Sequence, residues 1–199
     1  MKAVCLGRRS LSDSIIRSST LTIPGLTIDG LDNPCGFPEF MLKGLTSPEN
    51  KGKVALLDGS TNEAVTYDGL YKNVLSFADA LRSKFNIGTQ DTVAIFSPNH
   101  VHYFTVFQGA GLAGGRSTPI NPLYTEEEVD FQIGMTDAKV IVAHPMCMAV
   151  AKASAAKKGI PVISFGDCED TTPLKSLIDT EGIDFDSFPK PDPEDIMTI

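Results

Sequence analysis

The sequence predicts an α/β protein with a mostly parallel sheet and crossover helices, on three observations. Four short apolar runs, TVAIFS from Thr92, RSTPIN from Arg116, KVIVAH from Lys139 and PVISFG from Pro161, start 24, 23 and 22 residues apart. That spacing leaves room for a helix and two turns between neighbours. The runs are continuously apolar rather than alternating, as in strands covered on both faces. The intervals between them carry helical spacing or helix caps.

Four segments follow from the pattern along the chain: an extension over 1–14, an irregular leader over 15–50, an α/β subdomain over 51–185 and an acidic connector over 186–199. The leader is rich in Pro and Gly and has no sustained period, so it is expected to lie over a neighbouring surface. KVALLDGSTNEAVTY, from Lys53, reads as a hairpin around Asp58, Gly59, Ser60 and Asn62. Thr66 then caps a helix whose apolar stripe is Leu70, Val74, Phe77, Ala78, Leu81 and Phe85, and Gly88 is expected to end it. VHYFTVFQGAGLAG, from Val101, is apolar nearly all round and should be the most buried crossover. Thr125 and Glu128 form a capping box for the next helix, because hydroxyl and carboxylate each satisfy a backbone N–H left unpaired at the helix start.

Composition narrows the function classes. The formal net charge is −8, which argues against nucleic acid as a partner, since phosphate binding needs clustered Lys and Arg. From Ile160 to Ile199 ten Asp or Glu face two Lys, so this region repels anions. No apolar run approaches the roughly 18 residues of a membrane-spanning helix. Cys5, Cys35, Cys147 and Cys168 are scattered, with neither zinc spacing nor disulfide density, so reduced intracellular thiols are expected. Lys2, Arg8, Arg9 and Arg17 stand against one acid, Asp13, in the first twenty residues. That segment reads either as an organelle transit peptide or as an unstructured extension.

GAGLAG, Gly109 to Gly114, matches the dinucleotide fingerprint letter for letter, but in reversed context. The fingerprint's glycines follow a strand and open a helix, aiming backbone N–H groups at the pyrophosphate. Here they close a helix and precede a strand, which fits close helix packing and a helix stop at Gly114 and Gly115. After the first strand comes Ser97-Pro98-Asn99, with no glycine. His100 and His102 open the buried helix, where a surface or capping role outweighs a metal role. His144 ends a strand at the edge where open α/β sheets bind ligands, and a packed or solvent-facing ring is its plainer reading. There is no nucleophile elbow, Walker-type loop or zinc-ligand spacing. No catalytic, cofactor-binding or metal residue is therefore assigned within 1–199.

The motifs from Asp91 to Pro145 come in a distinctive order. They are Gln90-Asp91, Ser97-Pro98-Asn99, Gly109-Ala110, Ala113-Gly114, Asn121-Pro122-Leu123-Tyr124-Thr125 and Ala138-Lys139, preceded by Thr66, Tyr67, Leu70, Ala78 and Leu81. In this order they resemble the adenylate-forming, AMP-binding acyl-CoA synthetases, nearest to the branch of 4-coumarate:CoA ligases and beetle luciferases. SIIRSSTLTIP, from Ser14, resembles that family's opening. Val101 and His102 stand where the family commonly has Pro and Glu.

The resemblance implies part of the large N-terminal domain of an enzyme using ATP, Mg and CoA. Such an enzyme activates a small carboxylic acid to an acyl-adenylate and transfers the acyl group to CoA. It also implies that Pro193-Glu194-Asp195-Ile196 leads toward a Ser/Thr/Gly-rich phosphate loop, so catalytic residues are expected beyond Ile199 and the chain alone is expected to be inactive. The alternatives are a non-catalytic α/β binding or interaction module and a flavodoxin-like or Rossmann-like binder, the latter disfavoured by the missing glycine loop. An intracellular location follows, cytoplasmic or peroxisomal, with organelle import left open.

Overall fold

The computed structural model describes residues 36–178, 180–190 and 197–199. The expectations for 1–14, for 15–35 and for Pro193 to Ile196 lie outside them.

The predicted hairpin forms from β1 (Val54–Leu57) and β2 (Ala64–Thr66), paired antiparallel. Its turn is stapled by the Asp58 carboxylate, which accepts from Ser60 N–H at 2.7 Å, Ser60 Oγ at 2.6 Å and Thr61 N–H at 2.9 Å. These bonds, the Ser60 hydroxyl first, hold its pKa far below the usual carboxylate range. Asn62 takes the left-handed conformation that Asn tolerates.

Between residues 36 and 50 the structure departs from the irregular leader. Phe37–Leu45 is a helix, α1, followed by a 3₁₀ turn at Pro48–Asn50. The prolines that suggested irregularity occupy first-turn positions, where the missing N–H has no helical partner to lose. Pro38, Leu42 and Leu45 supply the buried stripe.

Helix α2 (Tyr67–Phe85) starts where expected, with Thr66 Oγ1 accepting from Gly69 N–H at 3.1 Å. Its end comes before Gly88. Asn86 adopts φ 54° and closes the helix through its N–H to the Leu81 carbonyl. Asn can serve as a left-handed cap, so the first compatible residue beyond the stripe ends the helix.

Among the described residues five parallel strands form the sheet: β3 (Thr92–Phe96), β4 (Arg116–Ile120), β5 (Ala138–Ala143), β6 (Val162–Ser164) and β7 (Thr172–Pro173), in the order β4-β3-β5-β6-β7. Between the longer strands run α3 (Tyr103–Leu112), α4 (Glu126–Met135) and α5 (Met148–Lys158). Successive strand residues face opposite sides. Thus Val93, Ile95, Val140 and Val142 join one core with α1, α2 and α3, while Ala94, Phe96, Ile141 and Ala143 join another with α4 and α5. The result is an α/β/α stack. The capping box opens α4 through both of its reciprocal bonds, and Lys157 of α5 pairs with Glu126 and Asp130 across the helix pair.

The glycines of GAGLAG are packing residues. A Cβ on Gly109 would lie 2.7 Å from Cδ1 of Phe77 in α2, and one on Gly111 would lie 2.9 Å from Pro38 of α1 and strike Met197. Seven of the ten residues of α3 are buried, as its all-round apolarity predicts.

Described residues of the segment read as an acidic connector take part in the fold. Phe188 is buried in the core beside α2 and α3. Thr198 bridges Ser117 in parallel: Ser117 N–H donates to the Met197 carbonyl at 2.9 Å and Ile199 N–H to the Ser117 carbonyl at 3.0 Å. The outer edge of β4 is covered there, as sheet edges usually must be.

Candidate functional site

Strand order decides where a ligand crevice can lie. From β3 the chain crosses first to β4 on one side and then to β5 on the other, so the connections diverge at the carboxyl ends of β3 and β5. Open α/β sheets bind ligands outside such a switch point.

Two of the three histidines leave the strands at this point, His100 after β3 and His144 after β5, and His102 stands at the start of α3. The ring of His100 lies 5.7 Å from that of His102, 5.7 Å from that of His144 and 4.7 Å from that of Phe165, which follows β6. An open groove of about 710 Å³ runs past His100, His102, Phe165, Glu63, Asn73 and Lys175.

The rings are oriented by the backbone. Nδ1 of His100 accepts from His102 N–H at 3.1 Å, and Nδ1 of His144 accepts from Met146 N–H at 3.2 Å. A neutral imidazole with an accepting Nδ1 carries its proton on Nε2. Each neutral ring therefore carries N–H at Nε2 and commits its Nδ1 lone pair to the backbone, which leaves no free lone pair for a metal. His102 Nε2 lies 3.0 Å from Glu63 Oε1, while its Nδ1 is buried without a hydrogen-bond partner. Burial, then the neighbouring His102 and His144, pushes the His100 pKa down, and burial does the same for His144. Among the described residues no group of three His, Cys, Asp or Glu is placed to hold a metal ion.

Phosphate chemistry is equally poorly supplied at this edge. The loops after β3 and β5 contain Pro98 and Pro145, which have no N–H, and no glycine before α3 or the turn at Pro145–Cys147. A nest for a polyanion is built from successive free backbone N–H groups. Cys147, the last residue of this turn, is buried, and burial pushes its thiol pKa up, which disfavours the nucleophilic thiolate.

His144 lies at the strand edge as its sequence position indicated. His102 departs from a capping role: it sits at the N-cap position of α3 without a side-chain cap bond and reaches instead to Glu63 in the hairpin. Val101, the other residue that departs from the synthetase pattern, is buried in the core. The convergence of the three rings escaped sequence reasoning, because it depends on β3 lying beside β5.

Residues 46–199 match the family described as AMP-binding enzyme. This chain belongs to that family. Among its AMP-binding relatives, 4-coumarate–CoA ligase 1 of Petroselinum crispum is 32% identical over 130 residues, covering 65% of this chain and 24% of the relative. 4-Coumarate–CoA ligase 3 of Oryza sativa subsp. japonica is 28% identical over 163 residues, 81% of this chain and 29% of the relative. Peroxisomal OPC-8:0-CoA ligase 1 of Arabidopsis thaliana is 31% identical over 119 residues, 60% and 21%. The chain thus spans about a quarter of the length of these AMP-binding relatives.

Solved structures carry the same fold. The luciferase-like enzyme of the nonluminescent mealworm Zophobas morio superposes with a TM-score of 0.74 at 16% identity, covering 87% of this chain and 40% of that one. The anthranilate CoA ligase AuaEII, solved with anthranoyl-AMP, gives 0.70 at 15% identity, covering 86% and 32%. The α/β architecture of the described residues is shared with both of these structures.

Proposed function

We propose that this chain supplies the N-terminal α/β part of an ATP-dependent acid:CoA ligase. In that reaction a carboxylate oxygen attacks the α-phosphorus of ATP and expels pyrophosphate. The sulfur of CoA then attacks the acyl carbon and expels AMP. The observation that carries this reading is the family match across residues 46–199, supported by the named CoA ligases among the relatives. A small carboxylic acid, ATP and CoA are the partners it implies. The named peroxisomal relative supports keeping the peroxisome beside the cytoplasm as its place of action.

Within this reading the described residues act as scaffold. Bringing a carboxylate against a polyphosphate needs cationic groups or aimed backbone donors to offset developing charge. The carboxyl edge offers instead two prolines, three histidines held by backbone or Glu63, and one Lys175 in the groove. The described residues do not fit Mg²⁺ either: Glu63, the groove's carboxylate, faces His102, and no group of three His, Cys, Asp or Glu among them is placed to hold a metal ion. We therefore assign no catalytic residue among the described residues, and infer that the chain by itself does not adenylate.

A chimera tests the function. Residues 46–199 placed in a 4-coumarate–CoA ligase, in exchange for the matching segment, should support acid-dependent exchange of pyrophosphate into ATP. A chimera with native-like near-ultraviolet dichroism and no exchange would count against the ligase reading and in favour of a non-catalytic module.

A further inference from the structure

We propose that His100 and His144 form an acid-sensitive latch, which at neutral pH fixes the loops leaving β3 and β5 against each other and against Phe165 and lets them loosen as pH falls. The latch is independent of the ligase reading, since it uses only groups inside 36–178. Its mechanism lies in the direction of two hydrogen bonds. His102 N–H and Met146 N–H donate to the Nδ1 atoms of His100 and His144. A protonated imidazole has only donors, so acid sets an Nδ1–H against each backbone N–H and turns two attractions into repulsions.

Geometry concentrates the effect. His100 sits at the centre of the cluster, with both other histidine rings 5.7 Å away, so a charge on one ring opposes a charge on the next. Its carbonyl accepts from Tyr103 N–H at 2.9 Å and its ring lies against Phe165. Displacement of His100 is thereby felt at the start of α3 and at the exit of β6.

The charged groups around the cluster pull in both directions. Glu63 and Asp58 in the hairpin turn favour a charged His100, but they are the smaller influences beside burial and the two histidines. Lys175 lines the same groove from beyond β7. The folded-state pKa values of His100 and His144 therefore lie below the ordinary value near 6.5. Stability from the neutral rings is fully present above about pH 6.5 and is lost as pH falls through the folded-state values.

The test uses the whole chain and the double variant His100→Asn, His144→Asn. Asn keeps an acceptor at the Nδ1 position and cannot titrate. Between about pH 7.5 and about pH 5.5, above most carboxylate titration, the wild-type unfolding constant should rise by at most about tenfold per pH unit for each histidine. The double variant should show a clearly flatter rise. In wild-type NMR spectra the backbone amide signals of His102 and Met146 should shift with the midpoints of the His100 and His144 rings. A double variant as acid-sensitive as wild type, or amides that stay fixed while the rings titrate, overturns the latch. If the double variant does not fold, the wild-type amide titration decides alone.

Discussion

Phe77→Ala should lower the unfolding free energy by about 3–5 kcal/mol, the range for removing a fully buried aromatic ring. Phe77 has no exposed surface and lies on the buried stripe of α2, facing α3. It belongs to the core that joins α1, α2 and α3 to the odd-numbered residues of β3. The cavity opens between two helices that are themselves pinned to the sheet, so collapse around it is limited. Urea unfolding of the two proteins checks this, with the midpoint shifted and the slope kept. A loss under about 1 kcal/mol would mean that the helices do not pack on the sheet as described.

The second expectation concerns the residue that Phe77 touches. Gly109→Ala should destabilise the wild-type chain by about 1–3 kcal/mol, because the added methyl meets a buried ring that has no open side. In the Phe77→Ala background the same change should become neutral or stabilising by up to about 1 kcal/mol, since Ala is the better helix former. The double-mutant cycle therefore predicts strong coupling between neighbours. Independent, additive effects would show that Gly109 is not there to admit Phe77. This cycle separates a packing glycine from a phosphate-binding one with no ligand in the assay.

How far the sequence discloses this structure depends on how local each signal is. The strands from Thr92 and Lys139 and the capping box at Thr125 are legible, because continuous apolarity and cap chemistry are carried by adjacent residues. Helix α1 is not, because Pro38 at its first turn looks like a breaker unless the helix start is already known. Strand β7 has only two residues, too few for any periodicity. The early stop at Asn86 escapes because Gly88 is the stronger signal on paper, while a left-handed Asn serves equally well in place.

For the candidate site the same reasoning applies with more force. His100 and His144 are far apart in sequence and meet because β3 pairs with both β4 and β5. The order of strands in a sheet is set by which crossovers pack best, and no short motif encodes it. The reversed context of GAGLAG, by contrast, is fully legible, and the close approach of α2 and α1 to Gly109 and Gly111 gives the physical cause. Sequence could thus exclude a dinucleotide loop without locating the histidine cluster.

The central claim is that residues 1–199 provide structural support for acid activation and not the activating groups. The purified chain, incubated with ATP, Mg²⁺, labelled pyrophosphate and a panel of aromatic and aliphatic carboxylic acids, tests it most directly. The account predicts no label in ATP above the protein-free background. Label that rises in proportion to the chain and depends on the acid would contradict it.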